Sequence, residues 1–155
     1  MSALETLPGH LIRRLHQISV SVFSERMKAL GVDLTAPQFA ALSTVAQHPG
    51  LDQATLAGLI AHDKPTLGGV IERLEGKGLV ARRKSDSDRR SKHLEITEAG
   101  AALLRRLSPV VAAVQRDILP GLTDDEYSDF IRLARKAATR GNDLSRSPLI
   151  DGRKA

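Results

Sequence analysis

The chain has no cysteine and no tryptophan, and aromatic residues make up only 3% of it. Without cysteine it can form no disulfide, no thiolate zinc site and no thiol-based redox sensor. With so few rings, the core has to come from Leu, Ile, Val and Ala, which suits helices packed closely on helices. Long apolar runs are missing too: no stretch approaches the roughly 18 residues of a membrane span. Residues 1–30 carry Glu5, Arg13, Arg14, Glu25, Arg26 and Lys28 with no long apolar block, so no signal peptide is read and a cytoplasmic protein is expected. There is no Gly-rich phosphate loop of a known pattern and no nucleophile in a telling context. His10, His16, His48, His62 and His93 include no pair at i, i+4, the spacing that sets two imidazoles on one helical face. The expectation is a protein that is not an enzyme, with no cofactor and no metal.

What is present is a basic balance, +5 over 155 residues, enough chain for one domain or two small lobes sharing a core. The charge speaks to partners rather than fold: nucleic acid, an anionic surface and a small acidic ligand are all permitted.

Apolar residues spaced by three and four mark helices. Pro8 to Leu30 reads as a first helix. Leu11, Leu15, Ile18 and Val22 form one stripe, and Ile12, Phe23, Met27 and Leu30 widen it enough for burial on two sides. Thr35, Pro37 and Gln38 make a capping box for a second helix. Asp52 caps a short third, with Leu56, Ala57 and Ile60 inward, and Asp63 caps a fourth after the turn Ala61-His62-Asp63. Two short helices joined so tightly are the helix-turn-helix pattern. Leu79 to Arg83 and His93 to Ile96 then read as a hairpin around a polar loop. Thr97 caps a long fifth helix that contains Pro109, where a kink is expected. Thr123 and Glu126 box the sixth, whose inner face is Tyr127, Phe130, Ile131 and Ala134. The tail "GNDLSRSPLIDGRKA" lacks periodicity and is expected to be mobile, or ordered only by packing on something else.

The fold expected is therefore mainly α with a small β-hairpin wing. Residues 1–34 hold the N-terminal helix of a dimerisation region, 35–98 a winged helix-turn-helix lobe, 99–140 C-terminal dimerisation helices and 141–155 the tail. The first and last helices are apolar on more faces than one small lobe can cover. Pairing with a second copy is the simplest way to bury them.

The fourth helix, "DKPTLGGVIERLEGKG", gathers Leu67, Val70, Ile71 and Leu74 on one side. The other presents Pro65, Gly69, Glu72, Arg73 and Gly76, flanked by Thr66 and Gly68. Each mid-helix glycine costs about 1 kcal/mol relative to Ala, and close approach to a DNA groove would explain the bare backbone. Lys64, Thr66 and the free N–H groups at the helix start are candidates for a phosphate, and Arg73 for a base or phosphate. On the helix alone the bland alternative stands beside this: tolerated surface glycines and a solvated arginine.

The loop "RRKSDSDRRSK" decides between them. Six basic residues surround two acids, Asp86 and Asp88. A run that merely adheres to polyanions gains nothing from acids. An aspartate two residues before an arginine can accept from the guanidinium and hold it in one direction, offsetting an ordering cost of up to about 2 kcal/mol. Asp88 and Arg90 have that spacing. An aimed Arg90 suits a minor groove, with Arg82, Lys84, Arg89 and Lys92 serving flanking phosphates. The alternative is a solvated basic hairpin with incidental acids.

Taken together, "LTAPQFAAL", "LDQATLAGLI", "LEGKGLVARR", "DSDRRSKHLEIT" and "TEAG" resemble the MarR family of winged-helix transcriptional regulators, over residues 10 to 138. The resemblance implies a homodimer in which the first, fifth and sixth helices interlock. Two fourth helices would enter successive major grooves of a palindromic double-stranded operator, and two wings the flanking minor grooves. Carried over residue by residue, it implies that Thr66, Gly68, Gly69 and Arg73 face the groove and that Arg90 is the wing-tip arginine braced by Asp88. The family often has larger polar side chains where this chain has Gly68 and Gly69. It also implies a repressor released by a small aromatic acid bound between the lobe and the dimer helices. His10, Arg14 and His16 are candidate cations for such a carboxylate, with Ser19 or Ser21 adding hydroxyls. The alternative is that these face solvent or bond across the dimer. A second function class is a winged-helix module whose basic face binds an acidic protein.

Overall fold

The first free amides of five helices are taken by side chains, and this fixes where each helix starts. Thr35 accepts from Gln38 N–H, Asp52 from Thr55, Asp63 from Thr66, Thr97 from Gly100 and Thr123 from Glu126. The capping boxes at Thr35 and Thr123 are both closed by the return bond from Gln38 or Glu126. Our computed structural model describes residues 3–84 and 92–151. A 3-10 turn, Ala3–Thr6, precedes α1 (Pro8–Ala29), α2 (Ala36–Gln47), α3 (Gln53–Leu59) and α4 (Lys64–Gly76). Strands β1 (Val80–Lys84) and β2 (Lys92–Ile96) follow, then α5 (Glu98–Asp117) and α6 (Asp124–Arg140). The strands pair antiparallel from Val80↔Ile96 to Lys84↔Lys92, within one residue of the sequence expectation. Pro109 lies inside α5, whose helical span is unbroken.

The core lies beneath the helix-turn-helix. Leu42 and Val45 of α2, Leu56 of α3, Leu67, Ile71 and Leu74 of α4, Leu94 of β2 and Leu107 of α5 are fully buried. Each such residue contributes about 1.5–3 kcal/mol of transfer free energy. Phe23 and Met27 carry α1 into the same cluster. Gly100 permits one close approach: a Cβ there would lie 2.1 Å from the Leu79 carbonyl oxygen. The first turn of α5 therefore presses directly on the root of the hairpin.

Two stretches bear on how the ends of the chain are packed. The face of α6 expected to be buried is only partly covered by the described residues of this chain: Tyr127 and Phe130 are half-buried, Ile131 and Ala134 exposed. Leu11, Ile12 and Val20 on α1 are exposed as well. The described part of the tail, in contrast, is tied to its own chain. Asn142 bonds the backbone of Leu149 in both directions, and the Ile150 N–H donates to the Gly58 carbonyl of α3 at 3.0 Å. Among the described residues no helix is long and apolar enough to cross a membrane.

Candidate functional site

Helix α4 buries Leu67, Val70, Ile71 and Leu74, as the spacing predicts, and this turns Lys64, Pro65, Thr66, Glu72 and Arg73 outward. Gly69 is open: a Cβ added there meets nothing within 4 Å. Gly68 is not. A Cβ there would stand 3.6 Å from the amide nitrogen of Gln53, so α3 looks over this part of α4.

The start of α4 is more occupied than the sequence suggests. Asp63 accepts from the Thr66 amide at 2.7 Å and from the Thr66 hydroxyl at 2.8 Å. These two bonds, the hydroxyl's foremost, hold the Asp63 carboxyl below its ordinary value. The Thr66 N–H and hydroxyl are thus both already satisfied by a carboxylate. The helix end is pinned as well: Lys77 pairs with Asp33 at 2.9 Å and also bonds the Asp33 carbonyl and Gln38.

Arg82 turns toward the protein. Its guanidinium lies 3.4 Å from the Glu75 carboxylate and donates to the Gln53 amide oxygen at 3.3 Å, half-buried between α3, α4 and β1. Arg83, its neighbour, pairs across the ladder with Glu95 on an exposed face. Asp88, Arg89 and Arg90 lie outside the described residues, as do the side chains of Lys84 and Lys92. Gln53, Glu75 and Glu95 have no sequence signal of their own. They come from three separate elements, and only the fold brings them to the hairpin.

A second feature lies on the far side of α2. A cavity of about 400 Å³ opens between α1, α2 and α5. Phe23, Phe39, Val111 and Ile118 form its apolar walls; Ser19, Ser43, Thr44 and Gln115 place polar groups around them. Phe23 and Phe39 meet at a tilt with ring centroids 6.3 Å apart, a favourable aromatic geometry. Of the five expected effector residues, Ser19 lines this cavity. His10, Arg14, His16 and Ser21 stand outside the lining, with Arg14, His16 and Ser21 exposed on α1. Among the described residues, the lining contains no cation. Ser43, Thr44 and Gln115 were not legible as a set, since two helices supply them. The one available signal was the Ser43-Thr44 pair between the apolar residues of α2. Among the described residues no three His, Asp or Glu side chains group to hold a metal.

This geometry has relatives. The model of the MarR family matches residues 34–92. The transcriptional regulator HosA of Escherichia coli O111:H- is 30% identical over 134 residues, covering 86% of this chain and 96% of the relative. The HTH-type transcriptional repressor NicR of Pseudomonas putida is 33% identical over 128 residues, covering 83% of this chain and 80% of the relative. The solved structure of Bordetella bronchiseptica BpsR, whose DNA binding is regulated by 6-hydroxynicotinic acid, superposes with a TM-score of 0.79 at 29% identity, over 86% of this chain and 94% of that one.

Proposed function

The chain belongs to the MarR family, and from that we propose that it is a homodimeric, sequence-specific DNA-binding repressor working in the cytoplasm. The observation that carries this is α4: four apolar residues buried to the last, and a face bearing Lys64, Thr66, Gly69 and Arg73 left uncovered beside a basic hairpin. The partly uncovered apolar faces of α1 and α6 suit a second copy. Two copies related by a twofold axis present two α4 helices to a palindrome, with half-sites about 34 Å apart. In this reading Arg90 enters a minor groove, aimed by Asp88, and Arg82 braces the root of the hairpin.

The cavity between α1, α2 and α5 is the ligand site of the same proposal. Its tilted phenylalanines and ring of hydroxyl and amide groups suit a small aromatic acid. Because the described lining has no cation, His10, Arg14 and His16 would have to meet the carboxylate from the rim or from across the dimer. Such a ligand releases DNA only if it binds one dimer shape better than the other. BpsR supplies the precedent for an aromatic acid acting on DNA binding.

The test is selection of a palindromic duplex from random sequence by the wild-type chain, followed by titration of the complex with 6-hydroxynicotinate and 4-hydroxybenzoate. The expected result is an enriched inverted repeat whose affinity falls as an acid saturates the cavity. Asp88→Ala should weaken the complex although it removes a negative charge. No enriched repeat would leave the acidic-protein module instead; unchanged affinity with both acids would remove the ligand step for them.

A further inference from the structure

The Gly58 carbonyl, near the end of α3, accepts amides from two separate parts of the chain. One is that of Ala61, at 3.4 Å. With the His62 N–H bonded to the Ala57 carbonyl at 2.9 Å, it closes α3 in the usual left-handed manner. Ala61 takes the left-handed position with φ of +51°, which an L side chain seldom adopts. The other part supplies the amide of Ile150, at 3.0 Å, from the far end of the chain. The contact falls at the α3–α4 turn, which leads directly into the Asp63 cap of α4.

Side chains fit this contact too. A Cβ on Gly58 would lie 2.8 Å from both Cγ1 and Cδ1 of Ile150. Glycine weakens a helix relative to alanine, but here its bareness makes the seat for Ile150. The segment leading to that seat is not slack. The Asn142 side chain donates to the Leu149 carbonyl at 3.1 Å and accepts from its N–H at 2.8 Å. Asn142 follows Gly141, the C-cap of α6. Residues 142–149 thus form a closed loop that joins the end of α6 to the helix-turn-helix.

We infer that residues 142–151 are a strap that fixes the α3–α4 turn to the end of α6 and thereby sets where α4 stands against the helical framework. This rests on the reading of α4 as the DNA-contacting helix. The lobe is already continuous with the framework through α5, whose first turn abuts Leu79. A second anchor at a separate point of the lobe, the α3–α4 turn, limits its freedom to swing about the first. Pre-organisation of this kind raises affinity for one half-site spacing at the expense of others. Ile150 and Gly58 are positioning residues: they act on DNA through α4.

Two variants test this, one lacking residues 145–155 and one with Gly58→Ala. The second keeps the whole tail and, without a strap, should only strengthen α3. Amide exchange reads the strap without DNA. The Ile150 amide should be protected in the wild type and lose that protection in Gly58→Ala, with Ala61 and His62 exchanging faster in both variants. An Ile150 amide that exchanges freely in the wild type overturns the strap. Binding is then measured to the palindrome selected by the wild type and to the same palindrome with its half-sites one base pair further apart. Both variants should bind the parent about tenfold more weakly and discriminate less between the two spacings. A loss of mere stability would not flatten that ratio. Unchanged affinity and an unchanged ratio in both variants overturn the role in positioning α4. A wild-type chain that selects no palindrome would remove the regulator reading and the positioning role together, while exchange still decides whether the strap exists.

Discussion

Arg82 is bonded to Glu75: the guanidinium of the first strand meets the carboxylate of α4 at 3.4 Å, with Gln53 of α3 accepting a further bond. Three elements converge on one side chain at the root of the hairpin. An arginine in a basic run looked like a phosphate contact; in the folded chain it braces the hairpin against the helix-turn-helix.

Arg82→Ala should therefore act on the fold rather than on charge. Both partners keep more than a quarter of their side-chain surface in solvent, 27% and 29%, so the loss is about 0.5–1 kcal/mol. Thermal unfolding measures it. The salt dependence of DNA affinity should keep its slope, since each lost phosphate contact would flatten it by about 0.9, counted once for each of the two hairpins of a homodimer. A flattened slope at unchanged stability would show that Arg82 meets phosphate.

Gly69→Ala separates folding from binding on α4. Nothing lies within 4 Å of the added methyl, so the helix should gain about 1 kcal/mol and the melting temperature should rise. Affinity for the selected palindrome should fall about tenfold, the scale of one lost base contact. A stabilised variant that binds as well as the wild type would show that the bare backbone serves nothing on DNA.

Gly100→Ala tests the seam between α5 and the hairpin. Its Cβ would overlap the Leu79 carbonyl oxygen at 2.1 Å and crowd Ile96 at 2.9 Å. Backbone cannot step aside as a flexible side chain does, and overpacking costs about 1–3 kcal/mol. The Thr97 N–H to Leu79 bond, 3.1 Å long, should weaken with it. Chemical denaturation should show the loss, and faster exchange of the Thr97 amide should locate it. A variant as stable as the wild type would contradict the close approach.

Much of the fold could be read because its signals are local. A cap joins a side chain to an amide three residues on, so Thr35, Asp52, Asp63, Thr97 and Thr123 were all visible in sequence. The inner face of α4 was visible through its period. What could not be read depends on contacts between distant segments. No pattern pairs Gly58 with Ile150, or Arg82 with Glu75, and a cavity lined by three helices has no sequence of its own. The apolar face of α6 was legible as apolar, and among the described residues only its Tyr127 and Phe130 are even half-buried. Thr66 shows how a local signal can hide a competing use: the Asp63 cap is legible in the sequence, and it takes both the amide and the hydroxyl of Thr66.

That cap carries a pH dependence. The Thr66 hydroxyl, then its amide, holds the Asp63 carboxyl below the ordinary 3.8. The folded value is thus lower than the unfolded one, so the stabilisation is present above the unfolded value and is lost as pH falls through the folded one. Asp63→Asn keeps an acceptor for the cap without a titrating group. Below about pH 4, the melting temperature of the wild type should fall faster than that of the variant. Parallel pH profiles would show that the cap contributes nothing through its charge.

The most direct measurement is the affinity of wild-type chain and Arg90→Ala for the selected palindrome and a scrambled duplex across a series of salt concentrations. A regulator that binds through α4 and the hairpin gives a log–log slope of about −0.9 for each phosphate neutralised, a clear preference for the palindrome, and a large loss of affinity in a still-folded Arg90→Ala. A shallow slope, equal affinity for both duplexes and no effect of Arg90→Ala would contradict it.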